Sequence, residues 1–179
     1  MTTRRNRGLT TSQGHFLYAV LLGDRSLARR LESSAGQDVR ACAAVLEGAF
    51  VVVIGRMCQN RFGPAEINLF SQRVVRCVAT DRGATAEEVS RIIHRELDGS
   101  ATGDDVGPAR PFAVQTAVVA TAIRELRLPP GEVRAVISES ESHAKQRGFE
   151  LRPYRPSLLT RRRLELAEER WHRSSVQDR

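Results

Sequence analysis

The sequence predicts an all-α protein, a compact bundle of about six or seven helices in a chain of 179 residues. Apolar residues recur at the three- and four-residue spacing of amphipathic helices. Aromatic residues make up only 5% of the chain, so Ala, Val, Leu and Ile must form most of the core. Glycines and prolines separate the apolar segments, as they do at helix ends. A chain of this length buries roughly 70% of its unfolded surface, so its core needs no disulfide or metal.

The chain is predicted to begin with a flexible basic arm, residues 1–14, which is polar and contains three arginines. A helical domain, residues 15–150, follows this arm. Its first helix contains apolar residues at helical spacing from Phe16 to Leu31, with a potential break at Gly23–Asp24.

The next segment, Asp38–Asn60, allows two interpretations. Small residues, among them Gly48 and Gly55, would form a stripe along a helix and permit close packing by a neighbour. The run Phe50–Ile54, flanked by glycines, also has the pattern of a short buried strand. The length of the whole apolar stretch favours the helix.

Apolar spacing and helix-end signals predict four further helices in the domain. They cover residues 64–81, 85–97, 111–128 and 130–147. Thr85, with Glu88 three residues later, forms a capping box at the start of the second of these. A loop rich in Gly, Asp and Ser, residues 98–108, is a candidate flexible linker. The chain ends in a basic tail, residues 151–179, with a helix from Ser157 to near Arg173.

Two of these helix pairs resemble each other when the sequence is shifted by 44 residues. Val74–Val75 then aligns with Val118–Val119, and Ile92–Ile93 aligns with Val136–Ile137. One interpretation is a duplication that gives two related helical hairpins on a shared core. The other is chance similarity between short apolar helices.

The charge of the chain makes a polyanion the first partner to consider. Lys and Arg number 28 against 21 Asp and Glu, which gives a net charge of +7. Lys145 is the only lysine. Arginine's planar guanidinium suits phosphate and carboxylate partners, and a strongly basic domain is typical of proteins that bind nucleic acid.

The strongest functional pattern is the segment Val78–Ile92, whose residue spacing resembles that of a DNA-reading helix-turn-helix. Ala79 would let two helices cross closely, and Gly83 would form the turn. Val89 and Ile92 would pack the second helix against the first. The recognition face would then consist of Thr85, Ser90, Arg91, His94 and Arg95. The resemblance covers only about 20 residues and identifies no particular family.

Two features of this segment depart from the helix-turn-helix pattern. Arg82 stands where a buried aliphatic residue is usual, and Glu87 and Glu88 bring negative charge to the helix end nearest the phosphates. The alternative interpretation is an ordinary helical hairpin of a bundle, which is the commoner structure for such a pattern.

The second functional pattern lies in the basic tail. Its candidate phosphate-binding residues are Arg161, Arg162 and Arg163. Arginines near Tyr154 suit phosphate contacts and base stacking. The alternative is a solvated tail helix with Glu/Arg pairs, in which Leu159, Leu166 and Trp171 would dock on the core or on a partner.

Metal and catalytic motifs are absent from the sequence. Cys42, Cys58 and Cys77 form no CxxC pair and have no His at ligand spacing, so we expect buried, reduced thiols. The loop that begins at Asp98 has Ala109 where a calcium loop needs its bidentate acid. The segment from Ser138 to His143 has the pattern of a solvated helix face, and no nucleotide-binding or hydrolase motif occurs. We therefore expect a non-enzymatic protein with no metal and no cofactor.

The leading hypothesis is a cytoplasmic nucleic-acid-binding protein, a helix-turn-helix regulator or accessory factor that binds DNA. The alternative is a non-enzymatic helical adaptor or assembly protein that binds protein partners, an acidic protein among them, through its apolar helices and the C-terminal helix. No membrane partner is expected, because the apolar stretch Ala41–Gly55 contains Glu47 and is too short to span a bilayer. Projection of Arg91, His94 and Arg95 from a convex face would favour nucleic acid, whereas ion pairing or coverage would favour the adaptor.

Overall fold

The computed structural model describes residues 8–35, 38–59, 63–77, 84–97 and 110–177. Within these ranges the chain is all-helical and contains no β-strand, which confirms the predicted fold class. The helices are α1 (Ser12–Leu21), α2 (Arg25–Ala35), α3 (Val39–Gln59), α4 (Pro64–Cys77), α5 (Ala86–Leu97), α6 (Arg110–Glu125), α7 (Pro130–Gln146) and α8 (Leu158–Gln177). The described ranges thus hold eight helices, slightly more than the six or seven predicted.

The additional helix comes from a break at Gly23, which divides the first predicted helix into α1 and α2. Gly23 has a φ of +76°, a left-handed conformation that favours glycine because it lacks a Cβ. Asp24 then starts α2, because its Oδ1 accepts a hydrogen bond from the backbone N of Leu27 at 3.0 Å. This is the usual role of Asp at a helix N-cap.

Helix α3 settles the ambiguity at Phe50–Ile54, which lies inside a continuous helix. Asp38 caps it, with Oδ1 2.9 Å from the backbone N of Ala41. The helix has 21 residues and is, by length and composition alone, apolar enough to cross a membrane. Helix α3 extends beyond Ala41–Gly55, the apolar stretch for which the sequence predicts a length too short to span a bilayer. Core helices meet the same test, and 61% of the apolar window is buried.

The chain divides into two compact units. Unit 1 comprises Met1–Ala49 and Arg127–Arg179, and unit 2 comprises Phe50–Leu126. The boundary falls inside α3, and the predicted basic tail belongs to unit 1. In the proposed repeat, α4 and α5 both lie in unit 2, whereas α6 and α7 belong to different units. The repeat therefore stays a prediction.

In unit 1, α1 packs against α2 and α7, and α8 packs against α2 and α7. A cluster of Ala19, Leu27, Ala28 and Leu31 forms one part of its core, and Leu164 of α8 is among the side chains packed against it. Helices α3 and α7 approach closely at Gly48, where a Cβ would lie 3.1 Å from the Cα of Ser140. The small-residue stripe thus permits close packing at this one glycine, whereas a Cβ on Gly55 would meet no neighbour within 4 Å.

The start of α1 is tied to the segment before α8. The backbone N of Ser12 donates to the carbonyl of Arg152, and that of Tyr154 donates to the carbonyl of Thr10, both at 2.9 Å. Residues 1–7 of the predicted arm lie outside the described residues. From Thr11 to Gly14 the chain is buried, so the end of the predicted arm is part of the folded unit.

In unit 2, α4 packs against both α5 and α6. The apolar face of each helix is buried, and its members include Ile67, Phe70, Val74, Val89, Ile93, Val114 and Val118. Arg73 of α4 forms two hydrogen bonds with Glu125 at the end of α6, at 2.5 and 3.1 Å. Helices predicted from apolar spacing over residues 64–97 and 111–147 are therefore confirmed, with ends that differ by a few residues.

Candidate nucleic-acid interface

Helix α5 begins as its capping box predicts. The backbone N of Glu88 donates to the Thr85 hydroxyl at 3.1 Å, which satisfies one of the unpaired N–H groups of the first turn. Val89 and Ile93 are fully buried, and α5 packs against α4 within unit 2. Residues 78–83, which include Ala79 and the predicted turn glycine Gly83, lie outside the described residues.

The predicted recognition residues of α5 do not form a free basic face. Arg91 forms an ion pair with Glu87 one turn earlier, with 3.1 Å between Nη2 and Oε1, and both side chains are mostly exposed. Ser90, Arg91 and His94 line an open depression of about 500 Å³ between α4 and α5, which Glu87 also lines. Arg95 is exposed. Because Glu87 offsets the charge of Arg91, ion pairing on this helix favours the adaptor interpretation for α5.

The three consecutive arginines of α8 have different surroundings. Arg162 forms an ion pair with Glu165 at 3.2 Å, and Arg163 donates to the hydroxyl of Ser26 on α2 at 3.1 Å. Arg161 is exposed and forms no ion pair with any residue that the structure describes. The structure therefore does not bring the three together as one patch.

The rest of the tail helix is partly docked and partly exposed. Trp171 is partly buried and donates through Nε1 to the carbonyl of Leu128 at 3.1 Å, which ties α8 to the segment before α7. Leu159 is 76% exposed and Leu166 is 39% exposed. Of the apolar tail residues singled out in the sequence, only the tryptophan thus docks firmly on the core.

Arg161 lines a second feature, a groove of about 660 Å³ in unit 1. We call it the unit 1 groove. Its walls come from residues 8–10, α1, α7, the segment 153–156 and α8. Ligand sites in proteins typically have volumes of about 300–1,000 Å³. It brings together three arginines, two glutamates, two tyrosines and one histidine.

The floor of the groove is a polar cluster of Tyr18, Arg134 and Glu168. The Tyr18 hydroxyl lies 2.7 Å from Glu168 Oε1 and 3.1 Å from the carbonyl of Pro130. Arg134 forms an ion pair with the same Oε1, and its guanidinium lies 5.5 Å from the centre of the Tyr18 ring. Burial, reinforced by Glu168, raises the pKa of Tyr18 well above its ordinary value. Its hydroxyl is therefore a hydrogen-bond donor at neutral pH.

The rim of the groove carries positive charge. Arg155 and Arg161 are exposed, and Arg155, like Arg161, forms no ion pair within the described part of the chain. The two glutamates of the groove are already paired, Glu165 with Arg162 and Glu168 with Arg134. Two arginines at the rim thus remain available to an anionic ligand.

Tyr154 forms part of the wall below the rim. Its ring is half-buried and lies edge-on to His15, with 5.1 Å between ring centres. Burial lowers the pKa of His15 below its ordinary value of 6.5, so the imidazole is neutral at pH 7. Its Nδ1 lies 2.8 Å from the carbonyl of Thr11 and therefore carries the proton, since a carbonyl only accepts.

Sequence reasoning identified Tyr154 and Arg161 as candidates but missed the floor of the groove. Tyr18, Arg134 and Glu168 are far apart in the sequence and meet only because α1, α7 and α8 pack together. The available signal was weak: Tyr18 is one of two tyrosines, and it carries a hydroxyl within an otherwise apolar stretch.

Two predictions about single residues need correction. Cys42 is buried, and burial raises the pKa of its thiol to about 11, but Cys58 is only partly buried and Cys77 is exposed. In the segment predicted to be a solvated helix face, Ser140 and Glu141 are buried, because they face α3 and the start of α1. The described residues contain no group of three or more His, Cys, Asp or Glu side chains arranged to hold a metal ion.

No protein-family model, curated protein or solved structure matches this chain.

Proposed function

We propose that the chain is a nucleic-acid-binding protein and that it contacts its ligand mainly through the unit 1 groove rather than through α5. The observation that carries the proposal is that one groove combines a half-buried tyrosine ring with two exposed arginines that form no ion pair within the described residues. Arg155 and Arg161 stand at the rim, and Tyr154 lies beside them. Arginines that follow a phosphate backbone, with aromatic rings on which bases stack, are typical of proteins that bind single strands.

The charge of the whole chain supports the same proposal. A net charge of +7 attracts a polyanion over distances comparable to the screening length, and local contacts then fix where the polyanion binds. The α5 face is a weaker site for this purpose, because Glu87 pairs with Arg91 and faces the same depression. Reading of a DNA groove by α5 is therefore not part of the proposed function.

The test is the affinity of the unmodified protein for labelled single-stranded and duplex oligonucleotides, measured by fluorescence anisotropy at increasing salt. Two or three phosphate contacts would weaken binding about tenfold between about 50 and 200 mM salt, because counterions are released on binding. Undetectable binding at about 50 mM salt with micromolar protein contradicts the proposal, since electrostatic binding is strongest there.

A second candidate function is that of an adaptor, and one observation favours it. Leu158 and Leu159 at the start of α8 are 82% and 76% exposed, so most of their apolar surface is open to a partner. Leu166 lies seven residues after Leu159, on the same face, with Arg162 and Glu165 between them. A second copy of α8 fits this face, because it offers leucines together with charges of both signs.

Sedimentation velocity distinguishes the two candidates. In this form of the adaptor, α8 pairs with a second copy, so the protein forms a concentration-dependent dimer that the double substitution Leu158→Gln and Leu159→Gln abolishes. A monomer at every concentration contradicts pairing through α8, and salt-dependent oligonucleotide binding by that monomer supports nucleic-acid binding.

A further inference from the structure

We infer that the unit 1 groove holds one unpaired nucleotide, with its base on the floor formed by Tyr18, Arg134 and Glu168, and that it favours guanine. This inference rests on the proposed function and adds the class of ligand and the base that the site selects. It is argued from the shape of the groove, the hydrogen-bonding capacity of its floor and the charge of its rim.

The shape of the groove favours an unpaired base. Its floor is recessed, since Tyr18 is 1% exposed, while the arginines at its rim are exposed. A base in a duplex is stacked on both sides and paired along its Watson–Crick edge, so it cannot reach a recessed floor without leaving the helix. An unpaired base can enter and present that edge to protein side chains.

The floor offers the acceptor that guanine needs. Both hydrogen bonds to the Glu168 carboxylate, from Tyr18 and from Arg134, end on Oε1. Within the described part of the chain, both bonds thus leave Oε2 of Glu168 open to a ligand. Guanine alone among the common bases carries two adjacent N–H donors, N1–H and the N2 amino group, on its Watson–Crick edge. A carboxylate oxygen only accepts hydrogen bonds, and the lone pairs of Oε2 are left for these two donors.

The other side chains of the floor complete the match. The Arg134 guanidinium is 31% exposed at its side chain and presents N–H donors, which suit the O6 acceptor of guanine. Adenine has no acceptor in the position of O6 and no N1–H. It would therefore give the carboxylate at most one of the two donors that guanine provides. Buried polar groups that lose a partner weaken binding substantially, which is how such sites discriminate between ligands.

The rim then holds the sugar–phosphate backbone. Arg155 and Arg161 flank the opening, and their guanidinium groups bind phosphate oxygens without regard to the base. The base contacts and the phosphate contacts therefore belong to different residues, and substitutions separate them.

The experiment uses four labelled oligouridylates that each carry one central nucleoside: guanosine, inosine, adenosine or cytidine. The unmodified protein should bind the guanosine probe about tenfold more tightly than the adenosine and cytidine probes. Inosine, which lacks the N2 amino group, should fall between them. Annealing the guanosine probe to a complementary strand should remove the preference.

Substitutions on α8 then assign the preference to the floor. Glu168→Gln should remove the guanosine preference and keep salt-dependent binding, because the rim is unchanged. Glu169→Gln is the matched control: it is the same change on the next residue, which pairs with Arg173 at 3.7 Å and does not line the groove. It should keep the preference. Thermal unfolding of both variants checks that they fold.

The outcomes separate this inference from the proposed function. Equal binding of all four probes by the unmodified protein, with affinity that still falls with salt, overturns the inference and leaves the proposed function standing. A guanosine preference that survives Glu168→Gln also overturns the inference, because the floor then does not select the base. Absence of binding to every probe at low salt overturns the proposed function itself. The comparison of probes uses the unmodified protein and so holds even if Glu168→Gln fails to fold.

Discussion

At the residue scale, one buried carboxylate fixes the wall of the groove. Glu141 of α7 is 2% exposed. Its oxygens accept hydrogen bonds from the backbone N and the hydroxyl of Thr10 and of Thr11, at 2.7–3.3 Å. A buried carboxylate is costly unless such donors satisfy it. Since Thr10 also pairs with Tyr154, Glu141 holds in place the segment that carries Tyr154 and Arg155.

We expect Gly14→Ala to destabilise the protein by about 1–3 kcal/mol, because it disturbs this carboxylate. A Cβ on Gly14 would lie 1.9 Å from Glu141 Oε1, so the carboxylate must move and lose bonds to Thr10 and Thr11. Chemical denaturation measures the free energy of unfolding. Gly131→Ala is the control, because a Cβ there meets nothing within 4 Å. Equal stability of the two variants would contradict the role given to Glu141.

The buried His15 predicts how stability depends on pH. Burial lowers its pKa in the folded state below the ordinary 6.5, although the hydrogen bond to Thr11 and the charge of Glu141 oppose this effect, and Arg134 adds to it. The unfolded chain therefore binds the proton more readily, and stability from this residue is present above pH 6.5 and is lost as pH falls below it. We expect His15→Gln to have a flatter dependence of unfolding free energy on pH between 7 and about 5.5. A dependence as steep as that of the unmodified protein would refute the assignment.

At the element scale, apolar spacing identified the helices because each has one face in a core. The alternative prediction of a strand at Phe50–Ile54 is wrong, because the whole apolar stretch forms one continuous helix. Helix ends were predicted where a cap has a local signature, as at Thr85. The sequence indicates a potential break at Gly23 but does not decide it, because glycine adopts positive and negative φ about equally readily.

The two glycines of α3 provide a test of helix packing within one element. We expect Gly48→Ala to destabilise the protein, because its Cβ would lie 3.0 Å from the Cβ and 3.1 Å from the Cα of Ser140. Gly55→Ala should stabilise it by about 0.5–1 kcal/mol, since alanine is the better helix former and no atom is within 4 Å. Thermal unfolding compares the two. A gain of stability in both variants would show that α3 and α7 do not approach as closely as described.

A further prediction at the element scale concerns Arg91 on α5. We expect Arg91→Ala to change oligonucleotide affinity less than twofold and stability by less than about 0.5 kcal/mol, because the exposed Arg91–Glu87 pair contributes little. Anisotropy with several DNA sequences measures both affinity and discrimination. If Arg91→Ala instead removes discrimination between duplex sequences, α5 reads DNA and the groove is not the main contact surface.

At the scale of the whole molecule, the fold class follows from composition and spacing, but the candidate site does not. The floor of the unit 1 groove joins Tyr18 and Glu168, which are 150 residues apart. Such pairs depend on how α1, α7 and α8 pack, and no local pattern encodes that. The excess of arginine was visible in the sequence, but its distribution was not. Several arginines pair with carboxylates on other helices, as in Arg73–Glu125 and Arg147–Glu47, and only the structure separates these from Arg155 and Arg161.

The central claim is that binding is localised to the rim of the unit 1 groove, and one comparison of salt dependence tests it most directly. The double variant Arg155→Ala/Arg161→Ala is matched with Arg25→Ala/Arg29→Ala, which removes the same charge from exposed positions of α2 in the same unit. Anisotropy of a labelled oligouridylate is measured from about 50 to 200 mM salt. We expect the rim variant to lose affinity and to lower the salt slope by about 1 for each arginine that contacts a phosphate, and the α2 variant to keep both. Equal losses in the two variants would show that net charge alone governs binding and would contradict the account.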